Sequence, residues 1–391
     1  MKKNVLDSIL TLGVEEIIVK EDLYKKLQSG KKLRIKLGVD PTRPDIHLGH
    51  AVTLWTLKAL QDMGHKIIFL IGDYTTRIGD PSGRNKTRPI LDDATIKRNA
   101  KSYLDQVGKI LDIAKTEVCF NSEWYKDFSF TQIIEVTSSF TVARIIERDD
   151  FNKRLKAKTD IGLHELLYPV MQAYDSVKLK ADVEIGGTDQ KFNMLAGREL
   201  QKKMGMAQQN IIQMKLLVGT DGVNKMSKSL DNYIGIREKP SQQFGKIMSI
   251  PDSLIEDYAI LAARMDDKKL KEVKSMIKNN PRDAKALVAK TIVELYYPEE
   301  GGQAEADFNR QFKDKEIPFD IPTVKIKNKN LNLVDLMLQT KLVASKSEAR
   351  RLIEQRGVKI DKAIIGDNNE TVAIYSGMIL QVGKRKFVKI I

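Results

Sequence analysis

Two short segments hold residue types suited to phosphate chemistry. In Asp40-Pro-Thr-Arg-Pro-Asp-Ile-His-Leu-Gly-His50, His47 and His50 stand three apart, so at the start of a helix the two imidazoles share one face. A helix N-terminus already attracts anions through its unpaired N–H groups and its dipole. Ring donors there add to the hold on a phosphoryl group in transfer, and Gly49 lets a flat base approach the backbone. Two capping histidines without further role are the plainer alternative. The other segment is Lys225-Met-Ser-Lys-Ser229. Two lysines three apart among small hydroxyl residues suit a mobile clamp that stabilises charge developing on pyrophosphate. A solvated basic loop is the commoner fate of such a run.

Between these segments, Tyr168, Gln172 and Asp175 are spaced by four and three, which puts them on one face of a helix. A packed aromatic stripe would account for Tyr168 alone. It accounts poorly for Gln172 and an Asp175 flanked by apolar residues, because a buried polar group without a partner costs about 1–3 kcal/mol.

The elements that position these residues follow from the pattern around them. LRIKLGVD is apolar and β-prone, DPTRPD is turn chemistry, HLGHAVTLWTLKALQDMG is helical and HKIIFLIGD is a second buried strand. Continuous apolar strands joined by a helix imply a parallel α/β sheet, with ligands at the carboxyl ends of the strands. Residues 90–180 read as largely helical, and VNKMSKSLDN as a polar loop after IIQMKLLVG. From about 235 to 313 the pattern is helical again, with starts at Ser253, Asp266 and Pro281. The stretch 318–330, with two prolines and a basic polar run, reads as a linker. After it, a capping box of Ser345 with Glu348 opens a helix that Gly357 stops, and short alternating strands follow.

Composition bounds the possibilities. At 391 residues the chain suits two or three domains. Cys119 is the single cysteine, which excludes a disulfide framework and a cysteine-based metal cluster, and four histidines leave little for zinc. No window nears the roughly 18–20 apolar residues of a membrane span. The opening MKKNVLDSILTLGVEEIIVKED reads as an amphipathic helix rather than a signal peptide, so a cytoplasmic protein is expected. The net charge of +14 fits large polyanions or a merely solvated basic surface. Arg144, Arg148, Lys153 and Arg154 form one basic segment, either a salt-bridged surface helix or a contact with RNA or a partner subunit. From Lys341 to Lys362 there are seven Lys/Arg against three Asp/Glu. Along that helix Lys346, Arg350, Arg351 and, less closely, Arg356 could follow RNA phosphates.

HLGH followed about 175 residues later by KMSKS resembles the class I aminoacyl-tRNA synthetases. KLGVDPTRPDIHLGH, IGDPSG, LLYPVMQAYDSV, IGGTDQKFN and NKMSKS, in that order, resemble the bacterial tyrosyl-tRNA synthetases, and the last unit resembles an S4-type RNA-binding domain. The resemblance spans nearly the whole chain and is weakest between 90 and 140. It implies an α/β fold: a Rossmann-like parallel-sheet catalytic domain over 1–234, a helical anticodon-region domain over 235–317, the linker, and an α+β S4-like domain over 331–391. It implies activation of tyrosine by ATP, accompanied by Mg²⁺, transfer to tRNA(Tyr), and a homodimer, with no protein-held metal. Tyr168, Gln172 and Asp80 of GDPSG would hold the substrate ammonium, and Asp175 would accept the phenol proton. Asp40, Gly187, Asp189 and Gln190 would line the amino acid and ribose. Thr42, His47 and His50 would face the phosphates, with Gly49 beside the base and Lys225 and Lys228 on the mobile loop.

One position departs from the pattern. Many relatives have a tyrosine four residues before the DPT aspartate, where this sequence has Lys36. Strand alternation puts Lys36, Gly38 and Asp40 on one side, so Lys36 is expected to pair with Asp175 or to lie at the pocket rim. Two other readings stay open: a class I synthetase for another aromatic amino acid, marked by a pocket lacking the Asp175 carboxylate, and a non-catalytic RNA-binding paralogue, marked by a broken HLGH or KMSKS. Here all three features are intact.

Overall fold

A computed structural model describes residues 3–81, 91–312, 321–326, 328–383 and 386–391. The chain divides into two compact units, Met1–Glu305 and Ala306–Ile391.

The first unit is built on a six-stranded sheet. Its strands are β1 (Val14–Ile18), β2 (Arg34–Val39), β3 (Lys66–Ile71), β4 (Glu117–Phe120), β5 (Val183–Gly187) and β6 (Asn210–Met214). Their spatial order is β1-β6-β5-β2-β3-β4. β2 runs parallel to both β3 and β5, which pairs Arg34 with Lys66 on one side and Lys36 with Glu184 on the other. Only β1 is antiparallel, against β6 at the edge. Ile67, Ile68, Phe69, Leu70 and Ile71 of β3 are all buried, as expected for a strand covered on both faces. The helix Leu48–Asp62 makes the crossover from β2 to β3.

Local differences from the sequence reading have local causes. The opening segment is not one helix. It is a helix Lys3–Ile9, the edge strand β1, and a helix Lys20–Gln28. Gly13, at φ +72°, turns the chain with Val52 and Leu261 too close for a side chain to enter freely, and VEEII then pairs with β6. Asp266 does cap its helix, accepting from Lys269 N, and Pro281 opens the next after Asn280. Ser253 instead lies within a short 3₁₀ turn, Asp252–Leu254, set off by Pro251. Among the described residues no helix is long and apolar enough to cross a membrane.

In the second unit two helices, Leu333–Gln339 and Lys346–Glu354, share a core with short strands, including Leu336, Ile353 and Leu380. Ser345 Oγ accepts from Glu348 N at 3.1 Å, and Glu348 reaches back to Ala344 N. The left-handed residue at the helix end is Arg356, φ 54°, while Gly357 N donates to Leu352 O at 2.9 Å. The linker reading needs correction. Residues 318–320 and 327 lie outside the described residues, but Thr323–Val324 forms a strand parallel to Lys386–Ile390, and Asn330 begins another. Pro322, just before the strand, needs no amide there, and its carbonyl accepts from Lys389 N at 2.9 Å.

Candidate active site

The strand order decides where a ligand can enter. From β2 the chain moves outward to β3 and β4, then returns to place β5 and β6 on β2's other side. Such a reversal opens a crevice at the strands' carboxyl ends. A cleft of about 770 Å³ occupies it, and all fourteen residues assigned above to tyrosine and ATP line it, from Asp40 to Lys228.

Asp40, just past β2, is held from two sides. Tyr168 OH donates to Oδ2 and Thr75 Oγ1 to Oδ1, both at 2.9 Å. Gly72, just past β3, makes this approach possible: a Cβ there would stand 2.2 Å from Asp40 Oδ1. Nearby, Gln190 Nε2 donates to Asp80 Oδ2 at 2.7 Å. Asn193 Nδ2 donates to Gln172 Oε1 and Gln190 Oε1 at 2.9 and 3.0 Å. Carboxylate and amide oxygens thus converge where an ammonium would be held. Ser82 and Gly83 of GDPSG lie outside the described residues.

Helix Leu163–Lys178 carries Tyr168, Gln172 and Asp175 on one face, and it continues through Pro169. Asp175, buried, accepts from Trp124 Nε1 at 3.0 Å and Asn121 Nδ2 at 3.4 Å. Burial pushes its carboxyl up to about 6, against the opposing influence of the Lys36 ammonium and these donors. A desolvated carboxylate of this kind suits a neutral hydroxyl donor.

Lys36 does not pair with Asp175 and is not at a rim. It is fully buried and forms an ion pair with Glu184 Oε1 at 2.9 Å. β2–β5 register sets Glu184 directly beside it, whereas Asp175 is already engaged by Trp124 and Asn121.

At the other end His47 caps helix Leu48–Asp62 and its amide donates to His50 Nδ1 at 3.3 Å. The ring centroids lie 3.8 Å apart, the planes tilted by 34°. A Cβ on Gly49 would meet the His47 ring at 3.1 Å. Burial, and after it Lys228 and Lys225, lowers the His47 imidazole to about 3; burial, His47 and the same lysines lower His50 well below its ordinary range. Both rings are neutral at pH 7, so they can offer N–H donors but not positive charge. Lys225 Nζ lies 2.5 Å from Asp189 Oδ2. Lys228 Nζ, buried, donates to Asp45 O at 2.7 Å, Arg43 O at 3.2 Å and Tyr103 OH at 2.5 Å.

The basic segment divides. Arg144 is exposed between Glu147 and Glu199. Arg148 is buried, and this corrects its reading as an RNA contact: it pairs with Asp150 at 2.9 Å, donates to Asn193 Oδ1 at 2.8 Å and lies 3.8 Å from Asp80. Arg154 is likewise buried against Glu165. Charge runs cannot distinguish an exposed arginine from one with an internal carboxylate. In the second unit Lys346, Arg350, Arg351 and Arg356 are all exposed, opposite buried Ala349 and Ile353. The residues that sequence reasoning missed are Gly72, Thr75, Asn121, Trp124, Glu184 and Asn193. Asn121 follows a parallel strand's carboxyl end, and that position was the available clue.

Comparison with known proteins bears on this cleft. Residues 28–313 match the family model for class I tRNA synthetases (W and Y). Residues 313–390 match the tyrosine–tRNA ligase SYY-like C-terminal domain. The chain is 48% identical over 392 residues to a tyrosine–tRNA ligase of Dehalococcoides mccartyi, covering 99% of this chain and 98% of that one. The chain belongs to the tyrosine–tRNA ligases. A second such ligase, from Bordetella avium, is 49% identical over 97% of this chain and 94% of its own. Solved structures share the ligase fold. A tyrosyl-tRNA synthetase of Archaeoglobus fulgidus complexed with L-tyrosine superposes with a TM-score of 0.62 at 24% identity, covering 77% of this chain and 99% of that one. A C-terminally truncated mitochondrial tyrosyl-tRNA synthetase of Aspergillus nidulans gives 0.64 at 21%, covering 79% and 94%.

Proposed function

We propose that the cleft at the carboxyl ends of β2, β3 and β5 is where this ligase activates tyrosine with ATP and then transfers it to tRNA(Tyr). The observation that carries this reading is the convergence of fourteen residues, scattered from Asp40 to Lys228, on one cleft. The tyrosine lies along helix Leu163–Lys178, its ammonium among Asp80, Tyr168, Gln172 and Gln190 and its phenol hydroxyl on Asp175. The ATP phosphates lie over the start of helix Leu48–Asp62. Mg²⁺ would accompany the ATP and offset charge on its phosphates; among the described residues no cluster of three or more His, Cys, Asp or Glu is placed to hold a metal by itself.

The tyrosine carboxylate attacks the α-phosphate in line, releasing pyrophosphate and leaving tyrosyl-adenylate. A carboxylate is ionised already, so no general base is required. The chain's contribution is positioning and charge stabilisation. Thr42 and the neutral imidazoles of His47 and His50 donate to phosphate oxygens, and Lys225 and Lys228 supply positive charge. Lys228 rests on carbonyls and a hydroxyl, neutral partners that a phosphate displaces through stronger charge-assisted bonds. The terminal ribose hydroxyl of the tRNA then attacks the tyrosyl carbonyl and gives up its proton, forming the ester as the acyl–phosphate bond breaks and AMP leaves.

Residues 235–317 are assigned to the anticodon region and 331–391 to further RNA contact through Lys346, Arg350 and Arg351, with the exposed Arg144 at the acceptor end. The work place is the cytoplasm. Association into a homodimer is favoured by Phe130, Ile134, Val142, Leu155 and Leu163, all exposed on consecutive helices. Amino-acid-dependent ATP–pyrophosphate exchange across the twenty amino acids tests the reading. Exchange with tyrosine is expected; exchange with tryptophan instead, or with none, overturns it.

A further inference from the structure

Lys36 has no place in the mechanism above, yet its whole side chain is shielded from solvent, and Glu184 is only 2% exposed. A buried lysine is costly unless its charge and all its protons are matched. Here they are. Nζ donates to Glu184 Oε1 and Ser176 Oγ at 2.9 Å each and to Gln172 O at 3.2 Å. Glu184 in turn accepts from Gln172 Nε2 at 3.2 Å and from Ser176 Oγ at 2.9 Å. Two of these partners, Gln172 and Ser176, belong to the helix that carries Asp175.

We infer that Lys36, paired with Glu184, is a positioning residue for amino-acid recognition, acting through Gln172 and Asp175 without touching the substrate. The inference rests on reading the cleft as the tyrosine pocket. Its geometry has two consequences. By engaging Gln172 Nε2, Glu184 leaves Oε1 turned to Asn193 and the ammonium site. By engaging the Gln172 carbonyl and Ser176 hydroxyl, Lys36 sets the helix turn from which Asp175 projects and places positive potential behind that carboxylate. Among the groups acting on Asp175, Lys36 is the foremost that keeps it ionised against burial. The titratable groups that act on Asp175 are Lys36 from β2 and Tyr125 from the segment after β4, and Tyr168 on its own helix feels the Asp175 charge in turn.

The test compares Lys36→Met with the double variant Lys36→Met/Glu184→Gln, which leaves no unpaired buried charge, and with Asp175→Asn. Tyrosine- and phenylalanine-dependent ATP–pyrophosphate exchange is followed from pH 5.5 to 8.5. Both Lys36 variants are expected to raise KM for tyrosine ~10-fold at neutral pH with kcat within about threefold. The acid limb of kcat/KM should move up by about one pH unit in Lys36→Met, one unit being tenfold, and by less in the double variant, which also loses the Glu184 charge, and preference over phenylalanine should narrow in both. A merely structural lysine would lower yield or Tm without moving that limb. Should Lys36→Met not fold, the double variant carries the test. A folded double variant with the parent's KM and acid limb overturns the inference, provided Asp175→Asn abolishes discrimination. If Asp175→Asn leaves discrimination intact, the pocket reading itself falls.

Discussion

On the function proposed above, His47, His50 and Lys228 face the ATP phosphates and Asp175 the phenol of tyrosine, all lining one cleft, so their substitutions have separable effects. His50→Ala and Lys228→Ala should each slow adenylate formation ~10²–10³-fold, the usual loss for one donor aimed at developing charge. Tyrosine affinity should change less than about threefold, as read by equilibrium dialysis. A comparable loss of affinity would remove these residues from the phosphates. Asp175→Ala should erase the preference for tyrosine over phenylalanine. A site built to bond a hydroxyl rejects the analogue that lacks it, and the tyrosine–tRNA ligases are themselves the standard illustration of that behaviour in enzymology. With its carboxyl near 6, tyrosine affinity should fall as pH drops below that value. Stability falls in the same direction through the imidazoles. Their protonation is favoured only in the unfolded chain, so the contribution is full above about 6.5 and is lost as pH falls towards about 3. Tm should fall between pH 7 and 5, and less steeply in His47→Asn/His50→Asn; an equal slope would place the cause elsewhere.

The elements matter through how closely they approach. β2 and β3 can deliver Asp40 and Thr75 to one another only because Gly72 has no side chain. Gly72→Ala should raise KM for tyrosine at least several-fold and destabilise the fold by ~1–3 kcal/mol, the usual range for overpacking, measured by exchange kinetics and urea melts. An unchanged KM would mean that Asp40 can shift freely. On the consecutive helices Phe130–Thr137 and Val142–Ile146, the exposed apolar side chains predict that Val142→Glu weakens association. Sedimentation velocity should show a smaller species at micromolar concentration; a parent-like profile would exclude this face.

For the whole molecule, the two compact units predict separable activities. Ending the chain after Phe312 removes Thr323–Val324 together with the strand it pairs with, a cleaner cut than one at 331. Such a chain should retain tyrosine-dependent exchange within about threefold while charging of tRNA drops at least tenfold. Loss of exchange as well would show that the first unit depends on the second.

Much of this was legible in sequence, for identifiable reasons. His47, His50, Lys225 and Lys228 stand out in sequence as candidates through the two motifs that together carry the family resemblance, and buried strands such as β3 through unbroken apolar runs, because both are patterns of near neighbours along the chain. The same local logic gave Asp266 and Ser345 as helix starts. What only the tertiary structure decided was pairing across the sheet. Lys36 meets Glu184, 148 residues away, through the β2–β5 register, and Arg148 turns inward to Asp150 and Asn193 rather than out to RNA. A charge carries no mark of its burial in a linear sequence. Burial and partner are set by strand order, and strand order is fixed only when distant segments pack.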